Sequence, residues 1–415
     1  MNSSPTSLID TRTAWGAAVV AVVCLGLGFG APLIATVSLK AIASDMAGAR
    51  TVPALGVSLA WLGAAVGGLL MGRLANRFGV KWTVMVGAVS IAIGLYIATL
   101  GQPWQFWLGH GLFIGVIGLG GLNAPLYVYV SHWFVRRRGS ALALLSSGNY
   151  IAGICWPVVF EKVTDTWGWR TTMLGYGVIE VLLVLLLARF FLPPAPVADQ
   201  GAAGGATGKA SPILAGRNHR LVFVATSAAG FLCCVTMAMP QGHLVALCSD
   251  RGVAPAVGAA MLSTLLAVAF ISRQAWGLAS DRIGGIRTAL ISSALQAIAV
   301  SGYLFVTEQF GLFAVSIAFG LGFSALIPAY VLAVRELFPS NEAYWRVPVM
   351  LLMTGSGMAT GGWLAGFLYD HSGSYDLAFE VGVASNVANL LLLGFLTWYL
   401  YVSRRAIPQA AGKTA

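Results

Sequence analysis

The sequence predicts an all-α integral membrane protein in which twelve transmembrane helices form two pseudo-symmetric six-helix bundles. Three observations support this fold class. Hydrophobic residues make up 58% of the 415 residues and charged residues only 9%, far below the roughly 25% charged residues of soluble domains. An eight-residue pattern occurs twice, as GRLANRFG at 72–79 and as GLASDRIG at 277–284. A segment without apolar periodicity separates the two copies.

Twelve apolar runs are about as long as, or longer than, the roughly 20 residues that a helix needs to cross a bilayer. The segment between the sixth and seventh runs begins Pro-Pro-Ala-Pro, continues with alanine and glycine, and is expected to be a flexible cytoplasmic linker. The predicted domains are an N-terminal bundle at 1–192, the linker at 193–219, and a C-terminal bundle with a short tail at 220–415. The runs are 15–38, 53–72, 82–101, 104–131, 139–160, 170–192, 220–247, 255–278, 288–306, 310–334, 346–368 and 377–402.

The net charge of +10 reflects membrane topology rather than a nucleic-acid partner. With a cytoplasmic N-terminus, 18 of the 24 lysines and arginines fall in cytoplasmic segments, five fall on the other side, and Arg273 lies within a span. Such an asymmetry follows the positive-inside rule. Both termini are therefore predicted to be cytoplasmic, and the protein is expected in the inner membrane.

The short loops and the absence of a recognisable catalytic or metal-binding motif argue against enzymatic function. Every loop other than 193–219 is short, which leaves no room for a soluble catalytic domain. The five cysteines show no metal-ligand spacing, and no nucleophile and base form a recognisable constellation. We therefore predict a protein that is not an enzyme, holds no metal and needs no cofactor.

Arg273 is the residue on which the functional interpretation depends. Placing an arginine within an apolar span costs at least about 2.5–3.5 kcal/mol, so its side chain should face a cavity or a partner. Ala269 and Gly277, one turn to either side, offer no counter-ion. Because a guanidinium stays charged and matches a carboxylate bidentately, Arg273 indicates an anion site. The alternative is a side chain that extends to the cytoplasmic interface.

Asn123 and Tyr127 are candidate partners of that anion site. They are four residues apart and so share one face of the fourth helix. At about 1.5 Å per residue, both lie at a depth in the bilayer similar to that of Arg273. We predict that all three side chains border one pocket.

The doubled Gly-x-x-x-[Asp/Asn]-Arg-x-Gly loop, the six-plus-six spans and the linker resemble the major facilitator superfamily over the whole chain. Within it, three stretches resemble the oxalate/formate antiporter and monocarboxylate transporter group. This resemblance implies the superfamily fold, transport by alternating access, and a substrate carboxylate held by Arg273. The stretches are 134–141 (FVRRRGSA), 243–252 with its HLV and DRG triplets, and 273–284.

The resemblance also nominates further residues. Helices 1, 4, 7 and 10 line the cavity in this superfamily, which adds Tyr330 on the tenth helix as a substrate contact. The repeated loops are expected to form a cytoplasmic gate, although the first copy has Asn76 where an aspartate is usual. The gate residues are Arg73, Arg77, Asp281 and Arg282.

His243 is the candidate proton site, because histidine has an unperturbed pKa that permits protonation near neutral pH. It follows Pro240-Gln241-Gly242, a run expected to break or kink the seventh helix. His243 and Arg273 are predicted to lie toward opposite faces of the bilayer. Glu180, near the middle of the sixth helix, is a second titratable group whose role stays open between function and a structural hydrogen bond.

One cation suits one carboxylate, and beyond Arg346 at its first position the eleventh run lacks the second basic residue of the oxalate carriers that this chain resembles. We therefore predict a monomeric secondary transporter that moves a small monocarboxylate, similar to lactate or pyruvate, together with a proton. Its partners would be the organic anion, the proton and the lipid bilayer. The alternatives are an organic-anion exchanger of the oxalate/formate type, an efflux carrier of drugs or neutral solutes, and a membrane sensor that transports nothing.

Overall fold

The structure is a computed structural model that describes residues 9–46, 48–134, 137–193, 214 and 218–405. These residues are mainly helical, and they contain no strand. Twelve long helices follow the order of the predicted apolar runs. They are α1 (Arg12–Val37), α2 (Thr51–Phe78), α3 (Val80–Ala98), α4 (Pro103–Trp133), α5 (138–167), α6 (169–191), α7 (His219–Asp250), α8 (Pro255–Ile283), α9 (Gly285–Phe305), α10 (Gln309–Leu337), α11 (Ser340–Ser372) and α12 (Asp376–Arg405).

The predicted number of spans is confirmed. Ten stretches of described helix are long and apolar enough to cross a membrane, and one of them, Ser140–Phe191, contains both α5 and α6. These two helices separate at Gly168, where a φ of +78° interrupts the helical backbone and favours glycine. The twelfth span is α11, which packs against α2 and α7.

An even number of spans returns the chain to the face from which it started. We call the face at which α1 begins and α12 ends the terminal face, and the other face the opposite face. Each half has its own apolar core: one buried cluster draws on residues 14–192, and the other draws mainly on residues 222–400. Most of the predicted linker 193–219 lies outside the described residues, so the domain boundaries there stay predictions.

The sequence repeat is also a structural repeat. Its last glycines, Gly79 and Gly284, have φ values of +89° and +81°, and each donates its backbone N–H to the residue four positions earlier. These glycines therefore end α2 and α8 in the same way, in a conformation that other residues rarely adopt. The two loops are equivalent positions of the two halves.

Small residues let helices approach closely within each half, as the glycine spacing predicts. Gly63 and Gly67 of α2 face the backbone of α4 at Gly111 and Val116. In the other half, Gly361 faces the Val235 carbonyl of α7. A methyl group at these positions would meet backbone atoms, which cannot rotate away.

Of the break or kink expected at Pro240, the break is wrong. The run that contains Pro240 does not break α7, which is helical from His219 through Asp250. Proline removes one backbone hydrogen bond, yet a transmembrane helix tolerates this loss when neighbouring helices hold it. His243 consequently lies within a continuous helix.

We predict that Gly361→Ala destabilises the folded protein by about 1–3 kcal/mol, the usual cost of overpacking, because the new methyl group meets the Val235 carbonyl. Thermal unfolding of the purified variant in detergent measures the effect. Gly394→Ala in α12 is the matched control, since no atom beyond its chain neighbours and the adjacent backbone of its own helix lies within 4 Å of the added carbon there. An unchanged unfolding temperature for Gly361→Ala would contradict this account of the packing.

Candidate functional site

A cavity lies between the two halves and is lined by α1, α2, α5, α7, α8 and α11. Two of its polar groups are buried without a hydrogen-bond partner, the Ser58 hydroxyl and the Gln241 side-chain amide nitrogen. Unpaired buried donors carry a desolvation cost unless a water molecule or a ligand satisfies them. The lining residues are Phe29, Pro32, Leu33, Thr36, Val57, Ser58, Trp61, Asn149, Gly153, Ala238, Gln241, Gly242, Leu266, Met358 and Gly362.

Arg273 lies in the seam between α8 and α5, on the terminal-face side of this cavity. Its guanidinium carbon is 4.9 Å from the centre of the Tyr150 ring, and Asn149, the neighbour of Tyr150, lines the cavity. The Arg273 Nε is buried and has no hydrogen-bond partner. Among the described residues, no carboxylate lies within 4.0 Å of Arg273. This cation has an aromatic neighbour but no counter-ion in the described part of the chain.

The structure brings Tyr127 to the same cation. Its phenol and that of Tyr150 both interact electrostatically with Arg273, and Tyr127 also hydrogen-bonds Ser146. Asn123 is partly buried one turn away on α4, and no hydrogen bond joins its side chain to the described residues. Arg273, Tyr127 and Tyr150 therefore form one cluster.

Tyr330 is placed elsewhere. It is fully buried in the C-terminal half, and its hydroxyl donates to the Asn389 side chain at 2.7 Å. Asn389 in turn donates to Asn386 and to Ser293. The structure thus ties Tyr330 into a polar network between α9, α10 and α12 rather than into the cavity.

His243 is buried and holds two neighbours at once. Its Nε2 lies 2.8 Å from the Gly362 carbonyl, and its Nδ1 lies 2.9 Å from the Tyr375 hydroxyl. A carbonyl only accepts, so Nε2 carries a proton and donates it to Gly362. The Tyr375 hydroxyl can then donate to Nδ1, which suits a neutral imidazole. Because Gly362 also lines the cavity, one residue connects His243 to the candidate ligand space.

An ion-pair network joins the halves at the opposite face. Arg50, just before α2, donates two hydrogen bonds to Asp250 of α7 at 2.5 and 2.7 Å, and Lys40 lies 3.0 Å from the same carboxylate. The Arg50 guanidinium also stacks on the Tyr369 ring at 3.6 Å and lies 5.2 Å from the Tyr375 ring. We call Lys40, Arg50, Asp250, Asp370, Tyr369 and Tyr375 the opposite-face gate.

Protonation states in this gate are fixed by its contacts. Burial alone would lower the pKa of Arg50, but hydrogen bonds to Asp250 and Tyr375 raise that pKa overall, so the guanidinium stays charged. Burial raises the pKa of Tyr375, and its hydroxyl therefore remains a neutral donor for His243. The gate joins permanent charges to one titratable imidazole.

Asp370 closes the same face in a second way. Its carboxylate oxygens accept the backbone N–H groups of Arg50 and Thr51, each at 2.8 Å, and the Thr51 hydroxyl. Asp370 lies in the last turn of α11, so a residue of one half caps the first turn of a helix in the other half. An anion at a helix N-terminus satisfies unpaired N–H groups and the helix dipole.

The predicted gate on the terminal face is not engaged. Arg73, Arg77, Asp281 and Arg282 are exposed, and the described residues contain no ion pair that joins the halves there. The side chain of Asn76 and residues 135–136 of the FVRRRGSA stretch lie outside the described residues. Within the described residues, ion pairs therefore join the halves at the opposite face and not at the terminal face.

Glu180 of α6 is fully buried, and neither of its carboxyl oxygens has a hydrogen-bond partner. It interacts electrostatically with Cys24 of α1 and lies one turn from Tyr176, whose hydroxyl donates to the Leu27 carbonyl. The structural hydrogen bond that the sequence left open for Glu180 is absent among the described residues. Its location inside the N-terminal half separates it from the cavity.

Sequence reasoning missed the opposite-face gate. Arg50, Asp250 and Asp370 stand at the ends of three different apolar runs, and nothing in their spacing says which of them meet. The available signal was that acidic residues cluster at the run ends facing Lys40 and Arg50. Tyr150, the aromatic neighbour of Arg273, carried no distinguishing pattern.

The profile of the Major Facilitator Superfamily matches residues 18–272. The chain therefore belongs to the major facilitator superfamily of transporters and is a multi-pass membrane protein. It is 25% identical over 336 residues to "Monocarboxylate transporter 13" of Bos taurus, covering 80% of this chain and 76% of that protein. It is also 21% identical over 310 residues to "MFS transporter asaE" of Aspergillus flavus, covering 74% and 68%.

Solved structures confirm the twelve-helix fold. A D-xylose–proton symporter superimposes with a TM-score of 0.72 at 16% identity, covering 92% of this chain and 97% of that one. A peptide transporter in complex with alafosfalin gives a TM-score of 0.72 at 13% identity, with coverage of 92% and 94%. At these identities the likeness concerns the fold alone.

We predict that Asp250→Asn opens the opposite face. The change removes the charge that holds Arg50 and Lys40, and a hydrogen bond to a charged group contributes about 1.5–3 kcal/mol, which shifts the open population about ten- to hundredfold. A cysteine placed at Thr36, in a variant without the five native cysteines, reports access of a membrane-impermeant maleimide from that face. The expected result is faster labelling.

Asp45→Asn is the control for this experiment. Asp45 pairs with Arg170 on the same face at 2.5 Å, but both residues belong to the N-terminal half. Equal labelling rates in the Asp250 and Asp45 variants would show that the Arg50–Asp250 pair does not hold the halves together.

Proposed function

We propose that this protein is a secondary transporter that carries a small monocarboxylate with a proton by alternating access. The observation that carries the proposal is the Arg273 guanidinium, which lies in the seam between the halves without a counter-ion among the described residues. A carboxylate that binds there would neutralise the charge of Arg273. Its release would leave the guanidinium without a counter-ion again. Its binding energy thus depends on a cation that the described chain does not otherwise satisfy.

The orientation follows from the basic residues. Since 18 of the 24 lysines and arginines fall on the terminal-face side, we propose that this face is cytoplasmic and that the protein resides in the inner membrane. With the gate of Arg50 and Asp250 closed on the other side, we assign the structure to an inward-facing state. The cavity is lined within one chain, which supports a functional monomer.

In this proposal the substrate carboxylate pairs with Arg273, while Tyr127 and Asn123 orient it from α4. One guanidinium matches one carboxylate bidentately, which favours a monoanion over a dianion. Tyr330 would join the site only in a conformation that frees its hydroxyl from Asn389. The gate role of Arg73, Arg77, Asp281 and Arg282 belongs to the state in which the terminal face closes.

Proton coupling is assigned to His243 because of its neighbours. In the inward-facing state the hydrogen bonds to Gly362 and Tyr375 suit a neutral ring. Protonation of Nδ1 would turn the Tyr375 hydroxyl away and add a positive charge near Arg50, with Asp370 as the nearby anion. A proton on His243 would thus weaken the closed gate, and its release would accompany closure. Proton and monoanion together move no net charge.

We predict that Arg273→Gln raises the KM for lactate at least about tenfold, because a charge-assisted hydrogen bond to the carboxylate is lost. Uptake of labelled lactate into proteoliposomes measures the effect, and Arg273→Lys should recover part of it. Arg287→Gln, an exposed arginine of α9, is the control. Unchanged uptake in a folded Arg273→Gln protein would leave a carrier of neutral solutes as the better account.

We predict that His243→Gln uncouples the proton. Glutamine can donate to the Gly362 carbonyl and accept from Tyr375, but it cannot bind a proton near neutral pH. Lactate-driven acidification of the vesicle interior should disappear, while exchange of internal for external lactate persists. His371→Gln, an exposed histidine at the same face, should keep the coupling. If acidification survives in His243→Gln, the proton site lies elsewhere; if the unmodified protein shows no lactate-driven acidification, anion exchange is the better account.

A further inference from the structure

In the tautomer that its contacts select, His243 gains a proton at Nδ1. The Gly362 carbonyl accepts the proton of Nε2 at 2.8 Å, which fixes the ring and leaves Nδ1 as the basic nitrogen. Nδ1 lies 2.9 Å from the Tyr375 hydroxyl, and both His243 and Tyr375 are buried. The group next to the basic nitrogen is therefore a phenol and not solvent.

Tyr375 lies between His243 and the opposite-face gate. It directly precedes α12, and its hydroxyl receives a hydrogen bond from the Arg50 guanidinium. A guanidinium has no acceptor, so the phenol oxygen accepts from Arg50 while its O–H donates to Nδ1 of His243. The donors therefore all point the same way, from Arg50 through Tyr375 and His243 to the Gly362 carbonyl. This chain connects the opposite face to the candidate proton site.

Arg50 occupies the position from which a water molecule could give a proton to the phenol oxygen. It is only 7% exposed, it is held by two hydrogen bonds to Asp250, and its guanidinium stacks on the Tyr369 ring at 3.6 Å. Because a guanidinium does not deprotonate in proteins, it cannot pass a proton to Tyr375. The closed gate thus places a cation without an available proton against the phenol.

The residues of this chain belong to different halves. Arg50 lies in the N-terminal half, whereas Tyr375, His243 and Gly362 lie in the C-terminal half. When the halves separate at the opposite face, Arg50 moves away from the phenol, and water can take its place. The charged groups that act on the His243 ring are Arg50 before α2 and Asp370 of α11, so the same movement also removes a cation from the vicinity of the imidazole.

Resting on the proposed function, we propose that Tyr375 relays protons between water at the opposite face and His243, and that Arg50 closes this route whenever the gate is closed. A hydronium ion gives one proton to the phenol oxygen as the phenol O–H proton passes to Nδ1. The hydronium ion becomes water, the phenol is regenerated and His243 becomes an imidazolium. Proton uptake from this face is thereby confined to the state in which the gate is open.

Two substitutions of Tyr375 separate a relay from a purely structural role. Tyr375→Gln keeps the hydrogen bonds, because an amide can accept from Arg50 and donate to Nδ1, but it cannot take up one proton and give up another near neutral pH. Tyr375→His can do both, since imidazole accepts at one nitrogen and donates from the other. The two side chains are similar in size and differ in their ability to pass a proton.

Proteoliposomes give two rates for each variant. Lactate-driven acidification of the vesicle interior measures coupled flux, and exchange of labelled lactate measures folding and alternating access. In Tyr375→Gln the ratio of acidification to exchange should fall at least about tenfold, because a positioned proton donor accelerates proton transfer by about 10²–10⁴. Tyr375→His should recover the ratio.

Tyr303→Phe is the control, because it removes the hydroxyl of another buried tyrosine of the C-terminal half, one that bonds Ser316 at 3.0 Å, and it should leave the ratio unchanged. An unchanged ratio in a Tyr375→Gln protein that exchanges lactate overturns the relay and leaves the proposed symport standing. If Tyr375→Gln exchanges no lactate, Tyr375→Phe, which keeps the ring, decides by the same ratio. A lack of lactate-driven acidification in the unmodified protein overturns proton coupling and the relay together.

Discussion

A permanent cation inside an apolar seam sets the terms for this molecule. Arg273 cannot deprotonate, and the described residues give it the face of Tyr150 but no carboxylate. Cation–π contact offsets part of the cost of removing a guanidinium from water, while an ion pair would offset much more. The anion-free state is therefore less stable than the anion-bound state. A site that gains its counter-ion from the cargo can bind and release it without rearranging its own ion pairs.

Because the two halves share one backbone arrangement, the charges at their equivalent positions can be compared. Gly148 of α5 faces Val22 of α1, and Gly357 of α11 faces Phe231 of α7, so both contacts recur 209 positions later. By the 205-residue offset of the repeated loop, Gly68 is the counterpart of Arg273. Equivalent positions of the two halves thus hold a glycine in one and an arginine in the other. Gene duplication explains the shared scaffold, and the loss of symmetry at this position gives one half a charge that the other lacks.

Much of the fold was predictable because membrane spans can be recognised from amino-acid composition. Twelve apolar runs and a repeated loop specify twelve helices in two halves, since each run must satisfy its backbone internally. Arg273 stood out for the same reason: a charge in such a run is rare. Its depth and that of Tyr127 then followed from helical rise.

What sequence could not supply were pairings between distant positions. Arg50 and Asp250 are 200 residues apart, and either could have faced solvent. Tyr330 was expected at the cavity from its helix, but its hydroxyl instead completes a buried network with Asn389, because an unsatisfied phenol inside a bundle is costly. Pro240 was expected to interrupt α7, and helix packing overrode that local preference.

The cap that Asp370 places on α2 has a consequence for the energetics of switching. When the halves part on that side, the first turn of α2 loses its acceptor, and the freed amide groups must find water or let the turn unravel. Closure therefore restores local helical order in one half through a residue of the other. Such a latch is cooperative, because its contacts become stronger as the two halves close more completely. This favours two discrete conformers over a continuum of partly opened ones.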